Sequence, residues 1–322
     1  MMATLQTSVS RKKFGEISPA GSAASEDQLT RRQKKKLERQ ASRSSSRQIK
    51  GVRLVIRYVV LVAVLVLLLA PLVLPLMAAF KAPGEPVFGE GATLLPQDWS
   101  LEAFRRLFED TPIVGSIGRS LIICTLAVSS HIILATVGGY MLSRRGWIGR
   151  GICTAIVFSA MIFPFESLML ALFNMMSSIN LYGNLLGVWL PGMLGPFHVL
   201  LMRAAFSGIP DEIEDAAFID GANEFQRFWR IFLPQVRGAI TVVGLTAFIF
   251  AWSDFLWPLL MLPDPDNQTM SLALVSLSKS VQGVSYQDVL AGAIVALIPV
   301  LVIFFSMQRY FFRGIEEGGL KF

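Results

Sequence analysis

Histidine, cysteine and charge are scarce in this chain. Of 322 residues, two are Cys, two are His and 16% are charged, while 53% are hydrophobic. The thiols, Cys124 and Cys153, lie in separate apolar runs and form no paired motif, so nothing suggests a disulfide framework. His131 and His198 are far apart in sequence, and each reads as a polar residue tolerated inside a helix bundle. With so few ligating side chains, a zinc or haem site is not expected. A soluble domain of this length needs more surface charge than this one carries.

The charge that is present is unevenly placed. Residues 1–57 hold fourteen Lys or Arg against four acids, and the remainder holds fifteen bases against nineteen acids. The net charge of +6 therefore comes from one tail and gives no reason to expect nucleic-acid binding. That tail contains the run Arg31–Gln40 and has too little apolar content to bury a core, so it reads as flexible. Anionic lipid at a cytoplasmic face is a suitable neighbour for it.

Long apolar runs dominate the rest. About 20 apolar residues cross the hydrocarbon of a bilayer. Spans are expected at Tyr58–Phe80, at about Ile113–Leu142, at Ile152–Met175 (interrupted by Pro164), at Leu185–Ala205 (containing Pro191 and Pro196), at Val236–Leu262 and at Val289–Gln308. Pro71 and Pro75 are expected to bend the outer half of the first. Between the first and second spans, Trp99–Phe108 predicts a short amphipathic surface helix with Leu101, Phe104, Leu107 and Phe108 on one side. Pro263–Asp288 reads as an outer loop. Arg and Lys fall overwhelmingly in 1–57, 143–150, 203–237 and 309–322, which places those segments and both chain ends inside. The fold class is thus an all-α polytopic membrane protein. Its expected domains are a basic cytoplasmic tail, 1–57, and a transmembrane domain, 58–322.

Charged groups within spans are costly unless they reach water or a partner. Glu166 follows the break at Pro164, and Asp254 lies in Ala251-Trp252-Ser253-Asp254-Phe255. Glu166, Trp252 and Asp254 are the candidate path residues, since an aromatic ring beside polar groups suits a sugar. The same residues equally suit an interfacial aromatic belt. Arg119, near the outer end of its span, reads as reaching the interface.

One cytoplasmic loop, 207–235, is neither a linker nor a span. Pro210 and Asp211 suit a first helical turn, and Ile213, Ala216 and Ala217 give a small apolar face. Gly221 permits a sharp bend. Phe225, Phe228, Trp229 and Phe232 then form an apolar stripe, ended by Pro234. Two readings of this bent helix pair remain open from the residues: a rigid knob for a soluble partner, or an amphipathic helix lying on the membrane.

The stretch Asp215-Ala216-Ala217, three residues, Gly221, nine residues, Ile231-Phe232-Leu233-Pro234 resembles the EAA loop of ABC importer permeases, with Asp215 where the family usually has Glu. Pro96–Ser100, Ala251–Leu256 and Gln308–Gly314 resemble the carbohydrate-uptake branch of that family. The resemblance covers roughly residues 55–322. It implies a six-helix permease bundle whose cytoplasmic coupling helix includes Asp215, Ala216, Ala217, Gly221, Phe225, Phe228, Trp229 and Pro234. It also implies a second permease subunit, two ATPase subunits and an extracytoplasmic solute-binding protein. The chain has no Walker A motif and no cofactor of its own; ATP and Mg²⁺ belong to the ATPase subunits. The expected cargo is a sugar or oligosaccharide. Alternatives are a polyol or glycerol-phosphate-type solute, and, from another class, an ion-coupled secondary transporter.

Overall fold

The computed structural model describes residues 53–144, 147–279 and 285–319, with residues 309–319 as backbone. Most of the basic tail and the last three residues lie outside this range, so the tail expectation concerns residues beyond those described. The chain divides into two compact units, Met1–Pro71 and Leu72–Phe322.

In the first unit, helix α1 begins at Arg53 and runs on to Ala79 in the second. Arg53–Arg57, assigned from sequence to the tail, are therefore helical. α1 does not end at Pro71 or Pro75, and it is apolar on every side, the pattern of a helix whose solvent is lipid.

The second unit is all-α among its described residues, in the order α2 (Glu102–Glu109), α3 (Ile113–Ser143), α4 (Arg150–Ile162), α5 (Phe165–Ser178), α6 (Leu185–Trp189), α7 (Pro196–Ser207) and α8 (Asp211–Ile219). These are followed by α9 (Glu224–Gln226), a π-helical turn (Arg227–Phe232), α10 (Leu233–Gln235), α11 (Arg237–Ser253), α12 (Leu256–Met261), α13 (Met270–Lys279) and α14 (Tyr286–Gly319). By length and composition α1, α3 and α14 each suffice to cross a membrane. Three bent pairs make up the remaining candidates: α4 with α5 at 99°, Leu185–Gly192 with α7 at 45°, and Glu224–Gln235 with α11 at 76°.

Each break has a local cause. Pro164 pushes Phe163 out of the helical region to ψ 117°, which ends α4 and restarts the chain as α5. Pro196 opens α7 after Gly195 leaves the helical region at ψ 115°. Val236, at φ −102° and ψ 18°, separates α10 from α11, and Asp254, extended at ψ 129°, separates α11 from α12.

α3 is the central element. It packs chiefly on α7 and α11. Gly139 permits the first contact, because a Cβ there would lie 2.5 Å from Met202 Cβ and 2.7 Å from the Arg203 backbone nitrogen. Small residues that bring backbones together drive helix packing in lipid. Three apolar clusters fill the unit. One joins Leu107, Phe248, Trp252, Met270 and Ala291. A second joins Tyr140, Met202, Phe206 and Phe232. The third joins Met176, Val188, Trp257, Met261 and Leu272.

Two expectations about the segments assigned outside from sequence change. α2 buries Ala103 and Leu107, while Leu101 and Phe108 are exposed. Its Arg106 pairs with Asp288 at 2.7 Å, which ties α2 to the start of α14. Pro263–Asp288 is not simply a loop, since it contains α13, whose Met270, Leu272 and Leu277 are buried. Lys81 is buried as well, donating from Nζ to the carbonyls of Pro86 and Thr93, each at 2.8 Å. Beside it sits Glu85. Burial would push this carboxyl up, but bonds from the Gln97 backbone N–H, Thr93 and Lys81 outweigh that and hold it below its ordinary range.

Candidate coupling loop and translocation path

Pro210 caps α8, and Asp211, Glu212 and Glu214 occupy its first turn, where acids offset the positive helix end. α8 closes through Ala222 N–H donating to the Ala217 carbonyl at 3.0 Å, with Gly221 at φ +73°. That is the left-handed closure that glycine favours. Open space surrounds Gly221, with nothing within 4 Å of where a Cβ would stand. Its conformation, not its neighbours in this chain, requires glycine. Asn223 then begins α9 with a reciprocal capping box to Gln226.

Pro234 does not end the helix. It lies inside α10, which continues to Gln235. The chain accommodates it with the π-helical turn over Arg227–Phe232 immediately upstream. Proline removes one N–H from the ladder, and a widened turn redistributes the carbonyls it leaves. The aromatic stripe is divided accordingly. Phe232 is fully buried and Phe228 half-buried against Tyr140 and Phe206, whereas Phe225 and Trp229 are exposed. Phe218 and Ile219 are exposed too, as are Asp215 and Ala216, while Ala217 is buried. An apolar knob with an acidic flank therefore projects from the bundle.

The knob is clamped to the end of α3. Arg144 NH1 donates to Glu214 at 2.8 Å, its NH2 donates to the Phe206 carbonyl at 2.9 Å, and its guanidinium lies 4.3 Å from the Phe232 ring centre. Tyr140 Oη donates to Glu224 at 2.6 Å. Arg227 pairs with Glu224 and stacks on Phe218 at 3.6 Å. Sequence reasoning counted Arg144 only towards topology and gave Tyr140, Glu214 and Glu224 no role in a clamp. Their contacts join residues far apart in the chain.

Gly221→Val tests the turn between the two helices of the knob. A β-branched residue at positive φ costs about 1–2 kcal/mol or more. We expect the protein to reach the membrane with the knob misdirected, and transport to fall at least about tenfold. Uptake by membrane vesicles measures it.

The other candidate residues fall into two groups. A cavity of about 800 Å³ is lined by His131, Glu166, Trp189, Phe250, Asp254 and Thr269, among others. Glu166, on the first turn of α5, and Asp254, at the α11–α12 break, share its wall. Trp252 does not belong to this wall. It is buried, stacks on Phe248 at 5.8 Å and donates from Nε1 to the Ala296 carbonyl on α14 at 3.1 Å. The aromatic groups on the wall include Phe165, Trp189, Phe250 and Phe255, of which the sequence reading did not single out Trp189 and Phe250. Among the described residues, no Lys or Arg lines the cavity.

Residues 132–317 match the family described as binding-protein-dependent transport system inner membrane component. The chain belongs to that family. It is 31% identical to the arabinooligosaccharides transport system permease protein AraQ of Halalkalibacterium halodurans, over 76% of this chain and 88% of that protein. It is 31% identical to the lactose transport system permease protein LacG of Rhizobium radiobacter, over 64% of this chain and 74% of that one. A solved bacterial ABC transporter involved in the import of the acidic polysaccharide alginate contains a chain with the same fold. The TM-score is 0.72 at 23% identity, covering 83% of this chain and 98% of that one.

Proposed function

We propose that this chain is a transmembrane subunit of an ATP-driven importer of a neutral sugar or oligosaccharide, forming half of the path and receiving the stroke of a cytoplasmic ATPase at the 207–235 loop. The observation that carries this reading is that one helix serves both sites. α3 presents Ile123, Ala127 and His131 to the cavity and, about 20 Å further along its axis, Tyr140 and Arg144 to the clamp. A push on the knob moves the clamp, and a continuous helix carries that movement to the cavity wall. In this reading the six crossings are α1, α3, α4 with α5, Leu185–Gly192 with α7, α11 and α14, with the 207–235 loop and both chain ends in the cytoplasm. The cytoplasmic positive charge favours that orientation. A second permease closes the other half of the path, two ATPase subunits bind ATP and Mg²⁺, and an extracytoplasmic protein delivers the cargo.

The lining argues for the class of cargo. Trp189 and Phe250 offer ring faces, and Glu166, Asp254 and Thr269 offer acceptors, the combination that suits a polyhydroxylated ring. A wall on which two acids stand with no Lys or Arg among the described residues disfavours a phosphate ester. The names of the sugar permeases it resembles agree with this assignment.

The test is purification of the tagged chain in detergent with identification of what accompanies it, followed by uptake in proteoliposomes. An ATPase and a second permease, with uptake of an unphosphorylated oligosaccharide dependent on internal ATP, are the expected result. Uptake driven by an ion gradient without ATP contradicts it. Asp254→Asn and Glu166→Gln, made separately, are expected to raise the KM for the sugar about fivefold to twentyfold, since each removes a charged acceptor from the wall. Kinetics unchanged in both remove these residues from the path.

A further inference from the structure

The two histidines, unremarkable in sequence, meet in the bundle. His131 on α3 and His198 on α7 approach with Nδ1 to Nδ1 at 2.6 Å. The outer nitrogens are also engaged. His131 Nε2 lies 2.7 Å from the Gly192 carbonyl and His198 Nε2 lies 2.8 Å from Thr246 Oγ1 on α11. Gly195 makes room for the pair, since a Cβ there would stand 2.7 Å from His198 Nδ1 and 2.8 Å from His131 Cε1.

The proton positions follow from the partners when both rings are neutral. A carbonyl only accepts, so His131 Nε2 carries the hydrogen and its Nδ1 is bare. His198 Nδ1 must then donate, which leaves His198 Nε2 to accept from the Thr246 hydroxyl. The result is a one-way chain from Thr246 through both rings to Gly192, which lies in the break between α6 and α7. Thr246 Oγ1 is also 2.7 Å from the Val242 carbonyl of its own helix. A hydroxyl has one proton, so Thr246 can serve the chain or its helix, not both. When the chain opens, its first donor has an acceptor already in place. His131 borders the cavity, where water can take up its freed nitrogen.

We propose that His131, His198 and Thr246 are positioning residues for transport: a releasable pin that fastens the α6–α7 break, and with it one wall of the cavity, to α3 and α11. Its three points lie on different helices, so a change of cavity shape that shifts any one of them must open it. A connection with two discrete states, each hydrogen-bonded, is the kind of element that turns a small displacement into a switch. The proposal rests on the reading of the chain as an importer permease.

The test uses the complete importer, with its partner subunits and binding protein, in nanodiscs. The quantity read is the ratio of ATP hydrolysis without substrate to hydrolysis with it. Thr246→Val keeps the shape and removes the donor, and Thr246→Ser keeps the donor. We expect Thr246→Val to change the ratio about fivefold or more, because the pin biases one conformation, and Thr246→Ser to stay within about twofold of wild type. Gly195→Ala, which forces the rings apart, is expected to act like Thr246→Val. A ratio near wild type in both Thr246→Val and Gly195→Ala overturns the pin. Failure of both variants to assemble also overturns it, because the chain would then be a fixed strut and not a releasable one. Wild-type complex whose hydrolysis ignores substrate refutes the importer reading instead.

Discussion

Replacing Arg144 by alanine is expected to abolish coupling while leaving the bundle assembled. Its guanidinium satisfies Glu214 on α8 and the Phe206 carbonyl on α7, and covers the Phe232 ring. The Arg144 and Glu214 side chains are 11% and 19% exposed, so this pair is little screened by water. Removing one partner of a buried pair costs about 3–5 kcal/mol, because the charge left behind is uncompensated. The cost falls on the joint between the knob and α3, not on the core contacts of α3 with α7 and α11. Uptake should therefore fall by about a hundredfold or more, with ATP hydrolysis no longer stimulated by loaded binding protein. Arg144→Lys restores the charge but not the forked geometry, and should recover only part of the activity. Uptake at wild-type level in Arg144→Ala would show that the clamp transmits nothing.

The second large effect belongs to Gly139. Replacing it with valine sets side-chain carbon against Met202 and the Arg203 backbone at distances under 3 Å, so α3 and α7 must separate. Neither neighbour is the free end of a flexible chain. Overpacking of this kind costs about 1–3 kcal/mol where side chains can move, and more where backbone must. The adjacent cluster of Tyr140, Phe206 and Phe232 loosens with it. We expect Gly139→Val to lower the yield of assembled complex severalfold and to reduce its thermal midpoint. Gly138→Ala next door faces Val199 side-chain atoms at 3.4 Å or more and should be close to neutral. Equal behaviour of the two variants would contradict the close approach.

What could be read in advance was what depends on neighbours in sequence. The long apolar runs gave α1, α3 and α14 because a lipid solvent demands them, and Pro164 marked a real break. Gly221 was legible as a bend because its conformational need is local. α13 was missed because its serines dilute an apolar face that is buried only in three dimensions. Trp252 was misassigned because the motif Ala251–Phe255 says which residues are aromatic, not which way a helix turns them. Its indole faces α14 and not the cavity. The clamp of Arg144 with Glu214, and the meeting of His131 with His198, join residues 70 and 67 positions apart. No periodicity encodes such contacts.

The six-residue π turn before Pro234 governs how this loop tolerates change. An ordinary helix would set Phe225, Phe228, Trp229 and Phe232 along a single side. Underwinding the backbone swings Phe232 inward while Phe225 and Trp229 stay outside, so one run of rings furnishes both an anchor and a contact surface. Chain length across Arg227–Phe232 then matters more than the identity of any ring. Losing one residue there would return the helix to regular winding and turn the anchoring ring out of its socket, even with every aromatic side chain retained.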